Sequence, residues 1–213
     1  MYISVKNINK TIKRIPILKA VSLEMESGVV YGLWGTNGSG KTMLLRLLAG
    51  LIRPSSGVVS IDERRLGRDM DFPDSMGLLI ENPAFLPGLT GRENLELLAQ
   101  INESVGSNTI VRTLRDVGLD PKDPRKFKKY SLGMKQRLGL ASVLMESPEL
   151  ILLDEPTNAL DTDGCAMIAQ QIVLQKQRGA LVVVASHDRA FLQEVSDVII
   201  RVENGCVRKE EAL

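Results

Sequence analysis

The fold is decided by the stretch Gly35-Thr36-Asn37-Gly38-Ser39-Gly40-Lys41-Thr42, which matches the pattern G-x-x-x-x-G-K-[ST] at every fixed position. Residues 29–34 before it read as a buried strand, and residues 43–50 after it read as a helix ended by a glycine. Glycines let the backbone wrap a polyphosphate with its N–H groups inward, and the helix N-terminus adds partial positive charge. The segment therefore predicts a binding loop for a nucleoside triphosphate.

The side chains of this loop have roles that follow from phosphate chemistry. Lys41 is placed to reach the β- and γ-phosphates, and the Thr42 hydroxyl is placed to ligate Mg²⁺. The residues expected to contact the nucleotide are Gly35, Thr36, Asn37, Gly38, Ser39, Gly40, Lys41, Thr42 and Met43. The alternative is a glycine-rich turn with a helix-capping threonine, but strand, loop and helix occur in the order that phosphate binding requires.

Size and composition are those of an ordinary globular protein. The 213 residues suffice for one domain, or one domain with a subdomain, and the chain is 44% apolar and 25% charged. A net charge of +1 gives no indication of a general affinity for nucleic acid or anionic lipid. Cys165 and Cys206 are far apart and lack metal-binding spacing, which indicates reduced thiols in a cytoplasmic protein.

The sequence contains no run long and apolar enough to span a bilayer. Residues 1–6 alternate like a strand and lack the basic and apolar regions of a secretion signal. If this protein serves a membrane process, we therefore expect another chain to supply the membrane part.

Strand patterns fall into two groups. Residues 2–8, roughly 18–34, and 57–61 indicate a small sheet beside the phosphate site. Short apolar runs are typical of strands buried on both faces of a parallel sheet, and they lie at 77–80, 150–153 and 181–185.

Helical periods replace the strand patterns between about residues 82 and 148. They lie at 93–101, 110–117 and 134–145. The expected fold class is α/β: a phosphate-loop NTPase with a mostly parallel central sheet, a small antiparallel β subdomain and an inserted helical subdomain. We expect one domain, in which residues 1–82 and 148–213 form the nucleotide-binding core and residues 83–147 form the helical subdomain.

Two carboxylates, Asp154 and Glu155, follow directly after the apolar run 150–153. Open α/β sheets place ligands at the carboxyl ends of their strands. An aspartate there can orient Mg²⁺ through water, and the next glutamate can act as the base that polarises the attacking water. Alone, the pair would read as solvated loop residues, but the phosphate loop upstream favours an ATPase site.

The segment Tyr130-Ser131-Leu132-Gly133-Met134-Lys135-Gln136-Arg137 opens a predicted helix upstream of these acids. With this segment the sequence resembles the nucleotide-binding subunit of ABC transporters, whose signature is usually Leu-Ser-Gly-Gly-Gln followed by Gln-Arg. Ser131 and Gly133 are kept, while the residues around them depart from the usual ones. The resemblance implies that this pair contacts the γ-phosphate held by an opposite subunit, and a hydroxyl at a helix N-terminus suits an anion. By itself the segment is also a helix cap.

Further family elements align along essentially the whole chain. Asp161, in Asn158-Ala159-Leu160-Asp161, resembles the D-loop residue that links the two sites of a dimer. His187 is the only histidine and follows the apolar run 181–185, where the family carries its switch histidine. A lone histidine after a strand is more often structural, but its distance from Glu155 along the chain favours a role in sensing the γ-phosphate and orienting that glutamate.

The loop at 79–86 matches the Q-loop of the family in position, but Glu81 stands where glutamine is expected. A carboxylate can ligate Mg²⁺ or orient water, yet it adds negative charge beside a triphosphate and cannot donate a hydrogen bond while ionised. We expect Glu81 to contact the metal or the attacking water. Together with the altered signature, Glu81 resembles ABC subunits associated with peptide-antibiotic export and resistance.

The family often stacks adenine on an aromatic side chain upstream of the phosphate loop. Residues 10–14 contain no aromatic residue, and Ile12 is the nearest match to that position. Because apolar packing without π-stacking discriminates poorly between bases, we expect GTP to be accepted nearly as well as ATP.

The resemblance implies a subunit that binds and hydrolyses ATP with Mg²⁺ and powers an ABC transporter by nucleotide-driven dimerisation. The expected partners are an integral membrane permease and a second ATP-binding subunit, with no nucleic acid, at the inner face of the cell membrane. Motion would pass to the permease near residues 81–89, where Pro83, Phe85 and Leu86 either contact the partner or only pack the subdomain.

Three other functional classes are possible. A non-transport ABC ATPase acting on nucleic acid or ribosomes usually needs a second cassette, a long coiled coil or a basic arm, and the sequence shows none of these. A phosphate-loop kinase would need a lid and an acceptor site. A regulatory module without turnover fits poorly with intact Lys41, Glu155 and His187.

Overall fold

Two β-sheets form the framework of the computed structural model, which describes residues 1–81, 83–102 and 105–209. Residue 82, which precedes the predicted helical insert, residues 103–104 within it, and residues 210–213 lie outside the described residues. In chain order the elements are β1 (Tyr2–Ile12), β2 (Ile15–Glu26), β3 (Val30–Trp34), α1 (Lys41–Leu48), β4 (Ser56–Ile61), β5 (Arg64–Arg65), β6 (Met76–Leu79), α2 (Gly91–Asn102), α3 (Ser107–Asp116), α4 (Leu132–Leu144), β7 (Leu150–Asp154), α5 (Thr162–Gln177), β8 (Leu181–Ser186), α6 (Arg189–Val195), β9 (Val198–Glu203) and β10 (Cys206–Lys209).

The larger sheet has six strands in the order β10-β9-β3-β8-β7-β6. All neighbouring strands are parallel except the β9–β10 pair, which is antiparallel. Every residue of β7 and β8 is buried, as expected for parallel strands covered on both faces. The prediction of a mostly parallel central sheet is confirmed.

The smaller sheet has the order β2-β1-β4-β5 and is antiparallel throughout. The prediction of a continuous strand over roughly 18–34 is wrong, because a turn at Ser27 and Gly28 ends β2 and β3 belongs to the other sheet. Gly28 has φ +76°, a conformation that glycine adopts at little cost. β1 also extends past residue 8 to Ile12, where it pairs with Ile15 across a two-residue turn.

The central sheet separates two apolar cores, and successive residues of its strands alternate between them. Leu150 and Leu152 of β7 pack with α1 and the small sheet, whereas Ile151 and Leu153 pack on the opposite side with residues of α4, α5 and α6. This alternation follows from the period of two along a strand. Side chains of β7 are therefore packed on both faces of the sheet, and this packing holds the backbone at the end of the strand in place.

Side-chain caps mark the starts of α2, α4, α5 and α6. Ser131, Asp161 and Asp188 cap α4, α5 and α6 by accepting hydrogen bonds from backbone N–H groups of the first turn. Ahead of α2, Thr90 and Glu93 form a reciprocal pair, in which Glu93 accepts from the Thr90 backbone at 2.6 Å. That bond, with the help of Lys126, lowers the pKa of Glu93 to about 2.

The segment between β6 and β7 is helical, as predicted, and a cluster of aromatic side chains packs within it. The Phe85 and Phe127 rings meet edge to face at 5.3 Å, and the Tyr130 hydroxyl accepts a hydrogen bond from the backbone of Gly91 at 3.1 Å. Phe85 therefore packs within the segment, whereas the side chain of Leu86 is 51% exposed. Within the described residues, no helix is long and apolar enough to cross a membrane.

Leu152→Ala tests the two-sided burial of the central sheet. Leu152 is fully buried, so its truncation leaves a cavity and should lower the free energy of unfolding by about 2–5 kcal/mol. Denaturant unfolding measures this change. The matched control is Leu174→Ala on α5, where the side chain is 45% exposed and a change within about 0.5 kcal/mol is expected. An equal loss of unfolding free energy in both variants would contradict the burial of Leu152 in the central sheet.

Candidate phosphate-binding and hydrolytic site

The phosphate loop connects β3 to α1 at the carboxyl edge of the central sheet. A Cβ at Gly35 would lie 2.2 Å from the carbonyl oxygen of Val202 and 2.8 Å from the Ser39 hydroxyl, so no larger residue fits. Gly40 has φ +116° immediately before α1, a backbone conformation that other residues rarely adopt. The glycines of the motif are thus required by backbone packing and by the turn into the helix.

Lys41 is held over the loop by backbone oxygens. Its ammonium group donates to the carbonyl oxygens of Gly35 at 2.7 Å and Thr36 at 3.3 Å, and it lies 3.5 Å from a carboxylate oxygen of Glu155. The residue is only 5% exposed. A buried ammonium at a loop of glycines and a helix N-terminus forms a strongly anion-attracting position.

Thr42 and Asp154, which lie far apart in sequence, are in direct contact. The Thr42 hydroxyl donates to Asp154 Oδ2 at 2.7 Å, and Asp154 is 5% exposed. Burial raises the pKa of Asp154, an effect that the Thr42 hydrogen bond opposes and the nearby charges of Glu155 and Glu81 reinforce. Its second oxygen, Oδ1, is buried without a hydrogen-bond partner among the described residues.

These two side chains fit a divalent metal. A buried carboxylate with an unsatisfied oxygen and an adjacent hydroxyl are hard oxygen ligands of the kind that Mg²⁺ prefers. Among the described residues, no cluster of three or more His, Cys, Asp or Glu side chains is present that could hold a metal by itself. Mg²⁺ usually keeps several waters and binds through one or two protein groups together with substrate phosphates, which agrees with this small set.

Glu155 is clamped at the same edge of the sheet. Its Oε2 accepts from the Ser186 hydroxyl at 3.2 Å and lies 2.8 Å from His187 Nδ1, while its Oε1 faces Lys41. The backbone of Glu155 has φ +46°, a left-handed conformation that is uncommon outside glycine. The predicted pair of Glu155 and His187 is therefore in contact, whereas the contribution of Ser186 was not predicted.

The signature segment and the predicted D-loop lie side by side. Ser131 caps α4, and a Cβ at Gly133 would lie 3.0 Å from the carbonyl oxygen of Ala159. Asp161 caps α5 and pairs with Arg137 at 3.4 Å. A surface cavity of about 480 Å³ is lined in part by these residues. The structure thus brings Ser131, Gly133 and Asp161 into one groove.

Gln136 is a site residue that sequence reasoning missed. Its side-chain amide donates to the backbone oxygens of Glu155 at 3.3 Å and Pro156 at 3.2 Å, and it is buried. Gln136 therefore ties the helix after the signature to the backbone that carries Glu155. A polar side chain among the buried residues of α4 was the signal that could have revealed it.

Glu81 and Ile12 occupy the edges of the site. The Glu81 carboxylate pairs with Arg46 at 2.5 Å, and the backbone of Glu81 has φ +58°. Asn82, the next residue of the predicted Q-loop, lies outside the described residues. Ile12 lies at the exposed tip of the β1–β2 hairpin, so its predicted contact with the base stays a prediction.

Comparison with known proteins agrees with this geometry. Residues 18–158 match the family model described as ABC transporter. This chain belongs to the ABC transporter ATP-binding family. It is 41% identical over 209 residues to the ABC transporter ATP-binding protein YybJ of Bacillus subtilis (strain 168), covering 98% of this chain and 96% of that protein. It is 33% identical over 210 residues to the bacitracin transport ATP-binding protein BcrA of Enterococcus faecalis, covering 98% of this chain and 68% of that protein.

A solved structure has the same fold as this chain. A post-hydrolysis dimer of the ATP-binding cassette MJ0796, bound to ADP and Pi, superimposes with a TM-score of 0.88 at 28% identity and covers 99% of both chains. The predicted fold class and family are confirmed. The ABC protein described here is an ATP-binding transporter subunit and an ATPase, as the sequence predicted.

Asp154→Asn tests the charge balance of the ABC site. The variant keeps an acceptor for Thr42 but removes a buried carboxylate charge beside Glu155, so the nucleotide-free protein should melt at a higher temperature at neutral pH. Thermal unfolding in the presence of a chelator measures this change. Added Mg²⁺ and ATP should then stabilise the variant less than the original protein. A lower melting temperature of the nucleotide-free variant would contradict the proposed cost of the buried charge.

Proposed function

We propose that this ABC subunit binds ATP with Mg²⁺ at the phosphate loop, hydrolyses it with Glu155 as general base, and closes on a second ATP-binding subunit while the nucleotide is intact. The observation that carries this proposal is the clamp on Glu155, whose carboxylate is held by Ser186, His187 and Lys41. A fixed carboxylate beside a phosphate-binding lysine is the arrangement that activation of water requires.

In the proposed reaction, Glu155 accepts a proton from water as the water oxygen attacks the γ-phosphorus. The bond between that phosphorus and the β–γ bridging oxygen breaks, giving ADP and inorganic phosphate. Lys41 stabilises the negative charge on the β- and γ-phosphate oxygens, and Thr42 and Asp154 hold the metal. Mg²⁺, when bound, neutralises part of the phosphate charge. His187 orients Glu155 through the contact at 2.8 Å and senses the γ-phosphate.

The remaining loop residues have a binding role in this proposal. The backbone N–H groups of the loop and of the first turn of α1 cradle the phosphates, which involves Gly35, Thr36, Asn37, Gly38, Ser39, Gly40, Lys41, Thr42 and Met43. Ser39 supports this role, because its hydroxyl is buried and has no hydrogen-bond partner among the described residues. We propose that Glu81 contacts the metal or the attacking water.

The second subunit completes each site. Ser131 and Gly133 open α4 at a surface groove, so a hydroxyl and a helix N-terminus face outward where a γ-phosphate on an opposite subunit can bind. Asp161 lies in the same groove and would link the two sites. The dimeric state of the MJ0796 cassette supports the pairing of two ATP-binding subunits.

The chain is proposed to divide into a nucleotide-binding core, residues 1–82 and 148–213, and a helical subdomain, residues 83–147. The subdomain carries exposed Leu86 and would contact a membrane permease, which holds the subunit at the inner face of the membrane. Export of a drug or antimicrobial peptide is the cargo class we propose, and its support is the similarity to a bacitracin transport protein.

Glu155→Gln should bind ATP, hydrolyse it at least a hundredfold more slowly, and form a stable ATP-dependent dimer, because the amide keeps its size but cannot accept the proton. Phosphate release measures turnover, and light scattering after gel filtration measures the dimer. Glu149→Gln, a solvent-exposed residue just before β7, is the matched control and should hydrolyse ATP normally. Near-normal turnover of Glu155→Gln would remove Glu155 from the role of base.

Leu86→Asp tests the permease contact. We expect this exposed charge to reduce co-purification with a multi-span membrane protein encoded beside this chain, when both are expressed together, by about fivefold or more. Leu174→Asp on α5 is the matched control, since Leu174 is similarly exposed and lies on another element. ATP hydrolysis by the isolated subunit should be unchanged in both variants. Equal recovery of the membrane protein with both variants would exclude Leu86 from the interface.

A further inference from the structure

Arg46 is a cation at the edge of the site that the proposed reaction does not use. It lies on α1 one helical turn after Thr42, so the two side chains share a face of the helix. Its guanidinium Nη2 lies 2.5 Å from Glu81 Oε1, which is a short charge-assisted hydrogen bond. The side chain of Arg46 is about one-third exposed, and that of Glu81 about two-thirds exposed.

Three carboxylates contact residues of the phosphate loop or of α1, and two of them pair with a cation. Lys41 lies 3.5 Å from Glu155, and Arg46 pairs with Glu81, while Asp154 is held by the Thr42 hydroxyl. Arg46 thus holds the Glu81 carboxylate on the face of α1 that carries Thr42, one of the two side chains that would hold the metal.

The backbone at Glu81 has an uncommon conformation. Its φ of +58° lies in the left-handed region, which residues other than glycine adopt rarely and only when their surroundings hold them there. Glu81 directly follows the buried end of β6, which fixes the chain on one side, and the ion pair with α1 fixes the side chain on the other. Glu81 is thus held against the helix that begins at the phosphate loop.

We propose that Arg46 is a positioning residue for nucleotide binding. It holds the Glu81 carboxylate against α1 and neutralises its charge, so that a carboxylate can stand at the edge of the phosphate site without repelling the triphosphate. The inference rests on the proposed function, because it takes the phosphate loop and Asp154 as the binding site for ATP and Mg²⁺.

The expected effect is moderate, since both side chains are partly in water. Removal of the cation leaves the negative charge of Glu81 uncompensated, so this charge would repel the triphosphate. Because both side chains are partly in water, the solvent weakens that repulsion. We expect Arg46→Gln to weaken ATP binding by about three- to tenfold. The loss should shrink as salt is raised from about 0.05 to 0.5 M, because ions screen exposed charges.

A double-mutant cycle isolates this role. The four proteins are the original chain, Arg46→Gln, Glu81→Gln and the double variant, and the measured quantity is the dissociation constant for ATP with Mg²⁺ and with a chelator. If Arg46 acts through Glu81, Arg46→Gln should lose affinity on its own but change it less than twofold when Glu81→Gln is also present. Arg46→Lys should keep most of the affinity, and steady-state hydrolysis by Arg46→Gln should show a larger change in KM than in kcat.

Arg64→Gln is the matched control. Arg64, on the edge strand β5 of the small sheet, pairs with Asp74 at 2.6 Å at the surface, and its removal should leave ATP affinity unchanged. Melting temperatures of all variants should lie close together, since both arginines are surface residues. If Arg46→Gln weakens ATP binding equally with and without Glu81→Gln, or does not weaken it at all, the role of Arg46 is overturned and the proposed function still stands. Failure of the original chain to bind ATP with Mg²⁺ would overturn the proposed function and the inference with it.

Discussion

The site depends on the parallel pairing of three strands, β3, β8 and β7. Their register sets Trp34 beside Ser186 and Ala185 beside Asp154, so the loops that follow all leave from one edge of the sheet. The phosphate loop, the segment with His187 and the acidic pair at 154–155 are therefore neighbours, although more than a hundred residues separate the first from the others. Because β7 and β8 contribute alternate residues to two different cores, a one-residue shift of register would move every side chain into the opposite core and disrupt the packing of both.

Several charged side chains lie at this carboxyl edge of the central sheet, where burial makes each charge unfavourable for stability. Lys41 and Asp154 are both 5% exposed, and Glu155 is clamped between Lys41 and His187. Each charge is partly offset by a neighbour, yet Asp154 Oδ1 and the Ser39 hydroxyl are buried without hydrogen-bond partners among the described residues. Buried polar atoms without partners lower the stability of the folded chain, and a bound phosphate and metal would relieve this cost. Binding and folding are coupled in this way.

Elements were predicted correctly where the local sequence pattern alone determines the structure. Fully apolar runs predicted β7 and β8, and the glycine motif predicted the loop between β3 and α1, because backbone geometry there allows few residues. The ends of β1 and β2 at the turn that joins them were not predicted, since this turn uses Lys13 and Arg14 at positive φ in place of the usual glycine or asparagine. The bonds from Gln136 and Ser186 to Glu155, and the pair of Arg46 with Glu81, join distant segments and could not be read from local pattern.

Gln136 connects α4 directly to the backbone just after β7. The amide of this side chain bonds to the backbone oxygens of Glu155 and Pro156, so the helix that begins at Ser131 is attached to the strand end that carries the proposed base. Any movement of α4 relative to the central sheet must either carry residues 155–156 along or break two buried hydrogen bonds, which costs free energy. The groove that would meet the opposite subunit and the carboxylate that would activate water therefore cannot move independently at small cost.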